Sequence, residues 1–306
     1  MPKFEQPIIV PKGTVFKEYQ VLTPEEELRL KMGDQRPESR QESQGKTSIE
    51  QAAEIMGADF LGPEVVENVW GVKLETKDIP PIPFSRADLG RAKELNQQLV
   101  LRVDKAADGS PLTMQKMNEY VDPKLAQAGK GKLLYDIDWY KNEEFYTTET
   151  PEISWALVSK ELISGSTNKN YLEQTEVLIT YLQNEVFRDM AIPPEYQDAI
   201  QEFESKKAVL VTLIESDWQE AAKQLSELDI TRLTRQTPAE AVYDLPTNLL
   251  TNNDRRLERA YTWTKRRRSG GRLVGVGSAD AGGAGVSASR PGSRDGGLGV
   301  SFSRSR

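Results

Sequence analysis

From residue 261 onward the apolar period changes from helical to two, and this change restricts the fold more than any other feature of the chain. Residues 271–277 (GRLVGVG), 283–289 (GAGVSAS) and 297–303 (GLGVSFS) each fit a short strand, with turn-rich links at 278–282 and 290–296. In the third strand Leu298, Val300 and Phe302 share one face, and Gly299, Ser301 and Ser303 the other. The pattern predicts an antiparallel meander. Such a ribbon cannot supply its own core, because the bulky apolar residues of 266–306 are only Leu273, Val274, Val276, Val286, Leu298, Val300 and Phe302. It has to pack on the helices before it, within one domain.

Those helices are marked by their starts. The apolar spacing of residues 171–187 puts Leu172, Val177, Leu178, Tyr181, Leu182 and Val186 on one face, and Pro193-Pro194 breaks the chain after it. A second helix is expected over 194–214, with Ile200, Phe203, Val211 and Ile214 inward. Ser216-Asp-Trp-Gln219 has capping-box spacing for a third, and Thr237-Pro-Ala-Glu240 starts a fourth. Earlier in the chain, Leu89, Ala92 and Leu95 suit a helix, Leu99–Val103 a strand, 112–121 a helix, and 133–135 and 153–158 strands.

The first 84 residues read as mostly flexible with short helices: 33–46 is strongly polar, Thr47-Ser-Ile-Glu50 has capping-box spacing, and 63–71 suits another turn or two. Pro80-Pro-Ile-Pro83 is an extended spacer. The expected organisation is therefore a flexible segment over 1–84, a small α+β module over 85–150, and an α+β domain over 151–306 whose last part, 261–306, is the ribbon.

Composition removes several chemistries. The 306 residues include no Cys and no His, which excludes disulfides, thiol nucleophiles, Cys/His zinc sites and imidazole bases. No apolar stretch approaches the ~18 residues of a membrane span, and the first thirty residues lack a signal pattern. A cytoplasmic protein is expected, with display on a surface left open. Charge is uneven: residues 266–306 hold eight Arg against Asp280 and Asp295, a net of +6 in a chain of −7, which leaves −13 on residues 1–265.

Individual constellations are weak. Asp136, Asp138, Glu143 and Glu144 offer paired carboxylates for acid/base work, but no spacing selects a pair, and a solvated acidic loop explains them. Asp104-x-x-x-Asp108-Gly109 resembles part of a calcium loop, yet Ala106 and Gln115 occupy ligand positions. The tail glycines lack the Gly-Lys-Ser/Thr of a phosphate loop. No catalytic residue, metal ligand or cofactor site is predicted. The basic tail, with Lys265 beside Arg266-Arg-Arg268, allows nucleic-acid binding as an alternative, although Phe302 is its only residue able to stack on a base.

One property of the tail is more telling. Residues 266–306 contain no Met, Gln, Lys, Glu or Trp, although these types fill 78 of the first 265 positions and roughly a dozen would be expected. They are the residues that no codon ending in cytosine encodes. GC-rich coding with Gly/Ser loops gives this pattern; so does randomisation of the first two bases of codons ending in C.

The second reading resembles the variable proteins of diversity-generating retroelements, in which a C-terminal segment of a C-type-lectin-like (formylglycine-generating-enzyme-like) domain is rewritten. Further motifs carry the resemblance through residues 151–306, most strongly after 216. Asp217-Trp-Gln-Glu-Ala221 is similar to the first-helix signature of such domains, and Arg232-Leu-Thr-Arg-Gln-Thr-Pro-Ala-Glu-Ala241 to the "RLPT" lead-in to their second helix. Tyr261-Thr-Trp-Thr264 stands where they have an aromatic turn, and Leu298–Arg304 resembles their closing strand. Lys160, Ser166-Thr-Asn-Lys-Asn170 and the helix at 171 are similar to proteins of small-genome candidate bacteria. Two departures stand out: Thr234 replaces the proline of "RLPT", and the loops are Ser, Ala, Gly and Arg rather than Trp, Asn and Tyr.

The resemblance implies a non-catalytic ligand-binding protein with a fixed apolar framework, Trp263 at its start, and exchangeable loop tips. The implied ligand-binding positions are Arg266, Arg267, Arg268, Ser269, Ser278, Ala279, Asp280, Ala281, Ser287, Ser289, Arg290, Ser293, Arg294 and Asp295. Arginine is the only residue type among them that commonly dominates interfaces, so the expected partner is a protein or surface ligand with acidic or phosphate groups.

Overall fold

The computed structural model describes residues 47–305, which lie in one compact α+β unit with two small sheets. The expected boundaries at 84/85 and 150/151 both fall inside this unit. The flexible start, as far as residue 46, lies outside the described residues, but 47–84 is packed: Ala52, Met56, Val66, Trp70, Ile82 and Phe84 are buried in the core.

Helix α1 (Ile49–Met56) is capped by Ser48, one residue later than the spacing suggested, because the Thr47 hydroxyl instead donates to the Phe84 carbonyl. Strand β1 (Phe60–Leu61) and α2 (Pro63–Trp70) follow. The 80–83 spacer is fastened by the Trp155 indole, which donates to the Pro80 carbonyl. After α3 (Arg86–Glu94), strand β2 (Gln97–Arg102) pairs parallel with β1 and, along its whole length, antiparallel with β3 (Ser154–Ser159). This pairing joins the two expected domains. Between them lie α4 (Met114–Gln127) and α5 (Glu144–Thr147). Residues 133–135 do not form the expected strand; only Leu134 bridges, parallel, to Ala284.

The helical block holds α6 (Tyr171–Tyr181), which loosens into a π-helical turn over Leu182–Val186, then α7 (Pro194–Ser216) and α8 (Trp218–Glu227). Val211 of α7 is 51% exposed rather than inward, since near the helix end Leu210 and Ile214 take the core-facing positions. Asp217, not Ser216, caps α8 by accepting from the Glu220 N–H. A short α9 (Asp229–Thr234), absent from the sequence reading, precedes α10 (Pro238–Asn252), which starts with the expected Thr237–Glu240 capping box and Pro238 in its first turn.

Helix α10 is buried from Pro238 to Leu249 and runs through the middle of the unit. Trp70 stacks on its Tyr243 at 4.6 Å and donates to Thr247. Its Glu240, Asp244 and Asn248 recur every four residues and form one polar stripe. Arg102 of β2 meets Asp244 through two hydrogen bonds of 3.2 and 2.7 Å and approaches Glu240 at 3.6 Å. Gln236 donates to Asp244 at 2.7 Å, and Lys265 lies 3.8 Å from Glu240.

The C-terminal residues form β4 (Tyr261–Arg267), β5 (Leu273–Asp280), β6 (Gly283–Ser289), β7 (Leu298–Gly299) and β8 (Ser303–Arg304). Strands β4, β5 and β6 make antiparallel hairpins, so the residues expected as an aromatic turn, Tyr261–Thr264, belong to a strand. The expected third strand, 297–303, is divided. Its β7 pairs parallel with β4, whereas β8 crosses to the other sheet and pairs antiparallel with β3. Leu298, Val300 and Phe302 all reach one core, and Gly299, Ser301 and Ser303 are buried as well because sheets lie on both sides. Arg304 fixes the crossing: it donates to Asp88 at 2.9 Å and lies near the rings of Phe84 and Phe187.

Two outcomes follow from these buried charges. Replacing Arg102 with Ala leaves two buried carboxylates without their cation and should cost about 3–5 kcal/mol in a urea titration. Burial raises the Asp88 pKa, but Arg304 and Ser85 outweigh it and hold the carboxyl below its ordinary value. That contribution is present above the unfolded pKa near 3.9 and is lost as the pH falls through the lower folded value. The urea midpoint should accordingly drop more steeply below about pH 4 in the parent protein than in Asp88→Asn.

Candidate functional site

The sheet β6-β5-β4-β7 presents two ends. At one end are the 268–272 turn and the end of β6; at the other is the β5–β6 turn; the loop 290–297 runs from the first toward the second, since Leu298 after it lies opposite Tyr261, which pairs with Gly277. With about 3.3 Å per residue along β5, the two ends are roughly 23 Å apart. The expected ligand positions therefore do not converge on one surface: Arg266, Arg267, Arg268, Ser269, Ser287, Ser289, Arg290 and Ser293 lie toward the first end, Ser278, Ala279, Asp280 and Ala281 at the second, and Arg294 and Asp295 on the loop that runs between them to β7.

The first end is built on side chains from distant parts of the chain. Glu143, read from sequence as part of a solvated acidic loop, is buried and accepts from the Ser269 N–H at 2.7 Å and the Ser269 hydroxyl at 2.8 Å. Arg268 lies 3.7 Å from the same carboxylate and over the Trp139 ring. Arg290 lies 5.0 Å over the ring of Trp218, the first residue of α8. The 290–297 loop is held by main-chain bonds from Tyr171 to Pro291 and from Asn168 to Asp295, each 3.0 Å. Arg294 grips Glu173, the third residue of α6, through two hydrogen bonds, which lower the Glu173 pKa.

At the second end Ala279 is buried, and Ser278 adopts a left-handed backbone with φ 49°. The Arg255 guanidinium donates to the carbonyls of Asp280 and Lys130, and Lys132 N–H donates to the Ala281 carbonyl. These tips are fixed by backbone bonds. On the sheet between the ends, the Tyr261 ring crosses the Gly277–Gly285 pair; a Cβ on Gly285 would overlap its hydroxyl.

Beside β4 lies a cleft of about 820 Å³ that the sequence did not reveal. Between Trp263 and Arg267 the strand carries two more residues than the facing stretch of β5, and this bulge turns Lys265 and Arg266 outward. Lys265, Arg266 and Arg267 line one wall, Glu144, Glu149 and Glu152 another, and Glu227, Arg232 and Leu233 a third. Burial pushes the Glu149 carboxyl above the usual carboxylate range, against the pull of Arg266 at 3.0 Å. The only sequence signal was the outward Lys-Arg-Arg run; its acidic counterpart comes from 120 residues upstream.

These contacts change the charge reading. Arg266, Arg268, Arg294 and Arg304 each pair with a carboxylate of the acidic body. Among the described tail arginines, Arg267, Arg272 and Arg290 have no such partner. No group of three or more metal-ligating side chains occurs among the described residues, nor does a helix long and apolar enough to cross a membrane.

Comparison with known protein families, characterised proteins and solved structures gives no match to this chain. Its function has to be read from the geometry.

The Glu143 carboxylate is the main tether of the 268–272 turn. In Glu143→Ala the Ser269 amide should exchange with solvent at least about 10-fold faster by NMR or mass spectrometry, since two hydrogen bonds to a charged acceptor are lost.

Proposed function

We propose that the protein is a non-catalytic recognition protein in which a rigid C-terminal sheet carries an exchangeable binding surface. The observation that carries this reading is the division of the tail by burial. Every expected framework residue (Trp263, Leu273, Val274, Val276, Val286, Leu298, Val300 and Phe302) is at most 7% exposed. Of the fourteen expected contact positions only Ala279 is buried. A surface that varies needs this separation: a change at Ser289, Arg290 or Ser293 meets solvent, whereas a change at Val300 opens a cavity.

The return of β8 to pair with β3 brings the first and last strands of 151–306 side by side around the intervening helices. That closure supports the C-type-lectin-like reading of this region and, with it, the likeness to diversified retroelement proteins. The recognition surface is the end of the sheet carrying Ser269, Ser287, Ser289, Arg290 and Ser293, next to Trp218. Acidic or phosphate groups on a ligand would be met by Arg267, Arg272 and Arg290, the arginines not already committed internally. A flexible nucleic-acid-binding tail has less support, because five strands between 261 and 304 pair into the two sheets and four arginines of this stretch are held by carboxylates.

Two measurements test the proposal. Simultaneous substitution of Ser287, Ser289, Arg290, Ser293 and Asp295 by other polar residues should shift Tm by no more than about 2 °C, while Val300→Ala should cost several degrees. A collapse of the first variant would defeat an exchangeable surface. The genomic flanks of the coding DNA should contain a near-repeat of the segment differing at adenines, beside a reverse transcriptase; intact flanks without either overturn the diversified reading.

A further inference from the structure

Four arginines are buried among the described residues, and three of them meet a carboxylate. Arg102 faces Asp244, Arg256 faces Asp254 and Arg304 faces Asp88, at 2.7, 2.7 and 2.9 Å. Arg235, 2% exposed, faces none. Its guanidinium lies 3.9 Å from the centre of the Tyr171 ring. Nη2 alone is bonded, to the Tyr171 carbonyl and the Thr175 hydroxyl, each at 3.2 Å. Nε and Nη1 are buried and have no acceptor. Trp263 meets the same tyrosine ring edge-on at 5.5 Å, and its buried indole Nε1 also lacks an acceptor.

The unmet groups here are Arg235 Nε and Nη1 and Trp263 Nε1, all donors, and the Thr231 hydroxyl, which can donate or accept. A guanidinium cannot shed its proton to escape the cost of burial, and the ring face of Tyr171 compensates only part of it. The missing partner is an acceptor, and one with negative charge answers both deficits. The groups come from α6, α9, β4 and the residue after α9, so the position is internal and separate from the exposed loop tips.

We propose that the Arg235 guanidinium holds a small monovalent anion, of the chloride type, in the core between α6, α9 and β4. The anion fixes the helical block against β4 and so supports the sheet from behind. The probe is halide itself, used on the full chain. In melts at constant ionic strength with gluconate replacing chloride, Tm should fall by roughly 2–3 °C for each tenfold drop in chloride above the dissociation constant. Arg235→Met should lose that dependence. Where Arg235→Met does not fold, Arg235→Lys, which lacks the planar donors, replaces it. Crystals soaked in bromide should give an anomalous peak beside Arg235. A peak together with the halide-dependent Tm supports the site. Absence of the peak, density for water alone at Arg235, or equal halide dependence in the parent and the variant overturns it.

Discussion

The structure depends on the ion cluster that Arg102 forms with Asp244 and Glu240. It links β2, the buried helix α10 and, through Lys265, strand β4. Burial works against both carboxylates, with opposite net results: Glu240 is held below its ordinary pKa by Arg102 and Lys265, and Asp244 stays above it. Such a cluster adds little net stability compared with an apolar core, but no member can leave without stranding the others. Its effect is to fix register. Helix α10 could otherwise slide or rotate, since nearly all of its surface is buried and much of it is apolar.

On that fixed helix rests one face of the β4–β5–β6 sheet, through Val274, Val276, Ala284 and Val286. The opposite side meets Leu273, Leu298, Val300 and Phe302 in a second core built by α6, α7 and α8. The sheet is thus held from two directions, and its ends are the parts left free to carry polar residues. The acidic body serves the same arrangement: Glu143, Glu149 and Glu173 each restrain a tail arginine or its turn.

Much of this was legible in the sequence where local rules act. The Thr237–Glu240 capping box, the β6 limits and the shared face of Leu298, Val300 and Phe302 follow from spacing alone. The errors have physical causes. Period two identified 297–303 as extended but carried no information on partner, so the division of β7 and β8 between two sheets was invisible. Glu143 looked solvated because its partner, Ser269, lies 126 positions away. The proline spacer suggested a boundary, yet an extended segment can also be packed, as the Trp155–Pro80 bond shows. Charge counting showed a basic tail after an acidic body, and only the fold reveals which arginines pair with carboxylates.

The placement of β8 affects how the protein is made. Residues 303 and 304 are the edge strand beside β3, and Phe302 just before them fills the second core. A ribosome therefore has to translate as far as residue 304 before this sheet can close, and every product shortened within the tail keeps an open edge beside β3 and lacks Phe302 in the second core. Frameshifts or early stops within the tail would thus cost the protein its closing strand and core, not only its loop tips.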